Sequence, residues 1–169
     1  MAISLVMFTS THRIVKLTGA ALLTLPVWGG SVVAADMAML SGPDGVRVEL
    51  TAASLAELPA TEAASAYRRC KGIEAGIYKG VLLWDLLQAR GLVGKDVKPA
   101  LRNTVLAIAG DGHEAACSVG EIAPDFGNTP ILLAYEMNGR PIPDGLRMVV
   151  PGDMRGARHI KDIVTLDFR

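Results

Sequence analysis

Ile131-Leu-Leu-Ala-Tyr-Glu-Met-Asn-Gly-Arg-Pro-Ile-Pro143, then Leu146-Arg-Met-Val-Val-Pro-Gly152, then Gly156-Ala-Arg-His-Ile-Lys161 is the stretch that decides the fold. Residues 131–136 and 146–150 are apolar runs of strand length, and Asn138-Gly139 with two prolines between them predicts a reversal of the chain. Residues 160–168 extend this pattern to the C-terminus, with Val164, Leu166 and Phe168 expected on one face. Upstream, Asp111-Gly112 is a tight-turn dipeptide between strands expected at 104–109 and 113–117. Ser118 and Glu121 have capping-box spacing for a brief helix that ends before Pro124. Leu82, Leu83, Leu86 and Leu87 form one face of a helix over 82–90, introduced by Tyr78-Lys79-Gly80 and stopped by Gly91.

Nearer the N-terminus, Gly42-Pro43-Asp44-Gly45 is a turn before a strand at 46–50. Thr51 caps a short helix over 52–58, which Pro59 terminates, and residues 62–70 read as extended. Many short strands with two or three short helices predict an α+β domain built on mixed β-sheet. No βαβ unit with a glycine-rich phosphate loop occurs, which excludes dinucleotide and P-loop folds.

Composition narrows the function. The chain has 169 residues, half of them apolar, with 17 basic and 17 acidic side chains. Balanced charge without a Lys/Arg block argues against a nucleic-acid partner. Two cysteines, Cys70 and Cys117, exclude a Cys₄ zinc site and a disulfide-dense scaffold. The first acidic residue is Asp36, whereas His12, Arg13 and Lys16 precede it. An apolar run over 17–28 and the small residues Val33-Ala34-Ala35 complete the order of a signal peptide over 1–35. The apolar run is shorter than the roughly 20 residues a spanning helix needs. The expected product is a single periplasmic domain, residues 36–169.

Three motifs together resemble a known family. The stretch quoted above, Tyr78-Lys-Gly-Val-Leu-Leu-Trp-Asp-Leu-Leu87 with Gly91, and the order Leu50-Thr51, Leu55, Leu58-Pro59 and Cys70 are similar to the molybdopterin-binding domain of sulfite oxidases. The resemblance implies that domain's mixed α+β fold, a molybdenum cofactor and oxygen-atom transfer. It also implies that Cys70 supplies the protein's thiolate to the metal. Arg68, Arg69 and Lys71 flank Cys70 and favour the thiolate that a soft metal centre requires. A disulfide with Cys117, or a small buried side chain, are the alternatives for Cys70.

Arg155, Gly156, Arg158, His159 and Lys161 are the expected cofactor-binding residues. They offer four donors within seven residues, and Gly152 and Gly156 offer close backbone approach. A solvated basic turn is the alternative reading of the same residues. His113 stands where the family has a tyrosine near the substrate, so it is the candidate proton-relaying catalytic residue.

The sequence also departs from the family. Lys71-Gly72 replaces the family's Gly-Asn-Arg-Arg-like run, and the segment from Cys70 to the helix is short, nearer to periplasmic subunits that repair methionine sulfoxide. No Cys-x-x-Cys-His haem motif occurs. Two functions are therefore expected as candidates. One is a cofactor-binding oxidoreductase served by a cytochrome-like electron carrier. The other is a metal-free pterin-binding sensor or accessory protein for a membrane receptor.

Overall fold

The computed structural model describes residues 37–169, and the expected signal peptide over 1–35 lies outside the described residues. Ten strands and three short α-helices form two sheets: β1 (Met37–Ser41), β2 (Arg47–Thr51), α1 (Ala52–Ala56), β3 (Thr61–Arg69), β4 (Gly72–Leu82), α2 (Leu83–Ala89), β5 (Thr104–Ala109), β6 (Glu114–Ser118), α3 (Val119–Ile122), β7 (Leu132–Met137), β8 (Arg140–Pro141), β9 (Arg147–Val149) and β10 (Ile163–Phe168). The first sheet has the order β2-β1-β10-β5-β6, mixed because β1 and β10 run parallel. The second has the order β3-β4-β7-β8, with β9 also paired to β7. This is the expected α+β arrangement.

Caps and turns follow local chemistry. The Ser54 N–H donates to the Thr51 hydroxyl at 3.1 Å and the Thr51 N–H to the Ser54 hydroxyl at 2.9 Å, a reciprocal capping box that starts α1. Gly91, at φ +70°, lets the Leu92 N–H reach back to the Leu87 carbonyl and close α2.

One main core lies between the layers. Leu40, Leu50, Leu55, Leu86, Leu87, Val105 and Leu166 are all fully buried in it. β7 serves two faces, Leu133 and Tyr135 entering the main core while Leu132 and Ala134 join Tyr78, Ile142 and Val149 on the other side. Such a strand reads as a continuous apolar run rather than an alternation.

Three expectations need correction. β1, which the apolar pattern does not announce, lies between β2 and β10. Tyr78-Lys79-Gly80 does not introduce a helix but lies inside β4, so no loop connects Cys70 to α2. There a side chain at Gly80 would collide with the Leu133 backbone. Finally, Val164 does not share a face with Leu166 and Phe168. A shift of register between Ile163 and Thr165 turns Val164 outward and buries Ile163 instead.

Candidate functional site

The site is built on the β3–β4 hairpin. Cys70-Lys71 forms its two-residue tip, and Gly72 follows at φ +124°, a conformation that disfavours any side chain. Cys70 is exposed. Beside the hairpin runs the segment after β9: the Arg68 N–H donates to the Met154 carbonyl at 2.9 Å, and residues 68 and 155 pair as a parallel bridge. Gly156 packs under Tyr67, whose ring carbons would lie 2.9 and 3.1 Å from an added Cβ. That glycine is therefore required by packing against the protein's own ring. Arg68, Arg69, Cys70, Arg155, Gly156 and Ala157 line one concavity of about 500 Å³.

Glu74 organises the charges behind this surface. Its carboxylate accepts from Arg147 Nη1 at 2.6 Å, from Lys161 Nζ at 2.9 Å and from Arg69 Nη1 at 2.9 Å. Burial alone would raise its pKa, but the bonds from Lys161 and Arg69 outweigh that and hold it at about 2. Arg147 is buried, with Asp144 as its second carboxylate partner at 3.2 Å. Burial opposes its charge, but Asp144 and Glu74 prevail and keep it protonated. Tyr67 faces Glu74 across the hairpin, and burial, then Tyr78 beside it, raises the hydroxyl's pKa.

The five expected cofactor-binding residues separate into three groups. Arg155 and Gly156 share the concavity with Cys70. Arg158 is occupied by acids, bidentate to Asp153 at 2.8 and 2.7 Å and bonded through Nη1 to Glu121 at 2.7 Å. Lys161 is held by Glu74. His159 is buried and stacks on Tyr67 with ring centroids 3.7 Å apart, and neither ring nitrogen has a hydrogen-bond partner. Burial lowers its pKa to about 4, so the ring is neutral near pH 7.

His113 follows the Asp111-Gly112 turn, with its Nε2 2.9 Å from the Ala157 carbonyl. Since a carbonyl only accepts, Nε2 carries the proton. The residue thus braces the turn that contains Gly156.

Cys70 and Cys117 are both free thiols, at a tip of one sheet and inside the other, so the disulfide alternative is not realised. Glu74, Arg147 and Tyr67 were missed as site residues. An arginine within the apolar run Leu146-Arg147-Met148-Val149-Val150 was the available signal, because a charge in a buried strand requires a partner. Among the described residues no cluster of three His, Cys, Asp or Glu could hold a metal ion. One exposed thiol beside a basic turn suits a ligand that brings most of its own metal coordination.

Such a fold and surface define a cofactor-holding α+β domain. The chain belongs to the oxidoreductase molybdopterin-binding domain family, whose model matches residues 41–169. That family is the sulfite oxidase type of domain and implies a molybdenum cofactor. Among solved structures the chain is similar to the sulfane dehydrogenase SoxCD from Paracoccus pantotrophus, at 21% identity and a TM-score of 0.59, which shows a shared fold. The match covers 78% of this chain and 37% of that one. No curated protein sequence matches the chain. The residues present fit the implied group: Cys70 offers a soft sulfur donor, and Arg155, beside it, offers a planar cation to a phosphate.

Proposed function

We propose that this domain holds a molybdenum cofactor at the Cys70 concavity and works as an oxidoreductase by oxygen-atom transfer. The observation that carries the reading is that Cys70, Arg155 and Gly156, from opposite ends of the domain's sequence, line one concavity. When bound, the cofactor supplies a metal that exchanges an oxygen atom together with two electrons. The chain's own residues position it. Cys70 provides one thiolate, the Glu74 ion pairs hold the strand that follows it, and Arg155 offers charge to the cofactor's anionic end. The Tyr67–His159 stack stays neutral near pH 7 and backs this surface without adding charge. Electrons pass to or from a carrier outside this domain, for which a cytochrome-like protein is the partner class. Export to the periplasm completes the reading, supported by the order of the basic, apolar and small residues over 1–35. Intact mass of exported protein, expected to begin at or near Asp36, checks it.

The deciding experiment is metal and pterin analysis of the full chain purified from a molybdenum-replete host. Near-stoichiometric molybdenum is expected in the wild type and in Cys117→Ser, with loss of most of it in Cys70→Ser. Equal molybdenum in both variants would remove Cys70 from the metal. Absence of metal from a pterin-loaded wild type would turn the reading to the sensor.

A further inference from the structure

The edge strands of the two sheets differ in how they are protected. β8, one edge of the second sheet, is two residues long and contains Pro141, which has no N–H to offer. β2 and β6, the edges of the first sheet, have five residues each. β3 has nine, contains no proline, and pairs with β4 in unbroken register from Thr61 to Arg69. Short length, proline and bulges are common ways of blunting an edge, and β3 has none of them.

One bond identifies its free side. The Arg68 N–H points away from β4, because it donates to the Met154 carbonyl at 2.9 Å. Backbone groups alternate along a strand, so Ala66, Ala64 and Glu62 turn their N–H and C=O to that same side. Among the described residues no backbone bond outside the β3–β4 ladder uses those groups. From Gly72 to Ile77, β4 has β3 as its strand partner, so there a further strand on β3 would widen a two-stranded ribbon.

The edge is complementary to an antiparallel copy of itself. Residue 68 is already bridged to residue 155, so the two-fold register that uses every free group is centred on Ala64. It places Ala64 opposite Ala64 of the second copy, and Glu62 opposite that copy's Ala66 and diagonal to its Arg68. The side chains of Glu62, Ala64, Ala66 and Arg68 share one face of the strand and are all exposed. Neither Glu62 nor Arg68 forms an ion pair among the described residues. Diagonal partners lie within reach of long side chains, and the two-fold axis makes this opposite-charge pair twice.

We infer that β3 is a docking edge for a second copy of this chain, paired antiparallel about Ala64 into one sheet that runs through both molecules. The inference does not depend on the cofactor proposed above. At roughly 3.4 Å of rise per residue, the two Cys70 tips stand about 40 Å apart, at opposite ends of the shared sheet.

The test is sedimentation equilibrium of the purified full chain from micromolar to millimolar concentration, where a concentration-dependent dimer is expected. Ala64→Lys sets two ammonium groups opposite each other at the axis, and Ala64→Pro removes an N–H that β4 does not use. Each should weaken the dimer about tenfold or more, with an unchanged circular dichroism spectrum. Glu62→Arg and Arg68→Glu should each weaken it about tenfold, because attraction becomes repulsion at both diagonals. The double reversal should return to within about threefold of the wild type, since the same pairs form with their signs exchanged. Should Ala64→Pro fail to fold, the charge reversals, which change only exposed side chains, decide the matter. A wild type that stays monomeric at millimolar concentration, or a dimer indifferent to these substitutions, would overturn the inference. Single reversals that weaken the dimer without rescue by the double reversal would overturn the register about Ala64.

Discussion

Cys70 and Cys117 both stand on antiparallel hairpins whose outer strands, β3 and β6, are sheet edges, yet their surroundings are opposite. Cys117 lies in the main core with Val119, Ile122 and Ala123, and burial pushes its thiol up to about 12. The Cys70 hairpin outgrows its sheet. β4 pairs with β7 only from Tyr78 to Leu82, so from Gly72 to Ile77 its strand partner is β3, and Ile73 and Ile77 are exposed. A two-stranded ribbon is marginal by itself in water. This one is held from its flank: Glu74 to Arg147 and Lys161, the Arg68 N–H to the Met154 carbonyl, and the Ile77 N–H to Asn138 Oδ1 at 2.9 Å. A hairpin covered by core hides its thiol, whereas one fixed by charges at its flank can present a thiol to a ligand.

Removing the charge that holds the ribbon should have the largest effect. Glu74→Ala leaves buried Arg147 short of a partner and should cost about 3 kcal/mol in chemical denaturation. Proteolysis around Arg68, Arg69 and Lys71 should accelerate with it. A cost below about 0.5 kcal/mol, with unchanged proteolysis, would show that the ribbon stands without its ion pairs.

Acid should sharpen the comparison next. The folded pKa of His159, about 4, lies below its ordinary 6.5, so its contribution to stability is present above pH 6.5 and is lost as pH falls through 4. The wild type should lose about 3 kcal/mol across that window. His159→Phe keeps a ring on Tyr67 but cannot titrate, so its stability should be nearly flat there. Parallel slopes for the two proteins would remove His159 from the account. Glu74 has a lowered folded pKa, so its contribution is lost only further down, from about 4.5 toward 2.

The smallest effects come from the same substitution at both thiols. Cys117→Ser places a more polar group in the core and should cost about 1–2 kcal/mol, whereas Cys70→Ser should lie within about 0.5. In the native wild type an alkylating reagent should modify Cys70 and reach Cys117 only on unfolding. Similar costs and similar alkylation rates would erase the distinction between the hairpins.

Local readings succeeded wherever a few neighbouring residues suffice. The Thr51 cap, the Ser118 cap with the Glu121 N–H 3.1 Å from its hydroxyl, the Asp111-Gly112 hairpin and the Gly91 stop each depend on a span of about four residues. β4 escaped the reading because Glu74-Ala75-Gly76 and Gly80 have little strand propensity. Pairing with β3 and β7 extends them instead, and Gly80 is needed because the Leu133 backbone lies against it. The Arg155–Lys161 motif was legible as basic, but the counter-ions of its members were not. Asp153 is local to Arg158, whereas Glu121 and Glu74 reach the motif only through folding.

By itself, the sequence determined the α+β class, the family motifs, the caps and turns, and the presence of cations around Cys70 and in the C-terminal turn. These rest on periodicity, on local hydrogen bonding and on residue identity, none of which needs distant partners. Only the tertiary structure decided which cations stay available to a ligand. Glu74 meets Lys161 across 87 positions of chain and Arg147 across 73, while Arg68 and Arg155 meet at an isolated β-bridge and form no ion pair among the described residues. Charge compensation acts over a few ångströms of space, so the binding capacity of an arginine is a property of its neighbours in the fold.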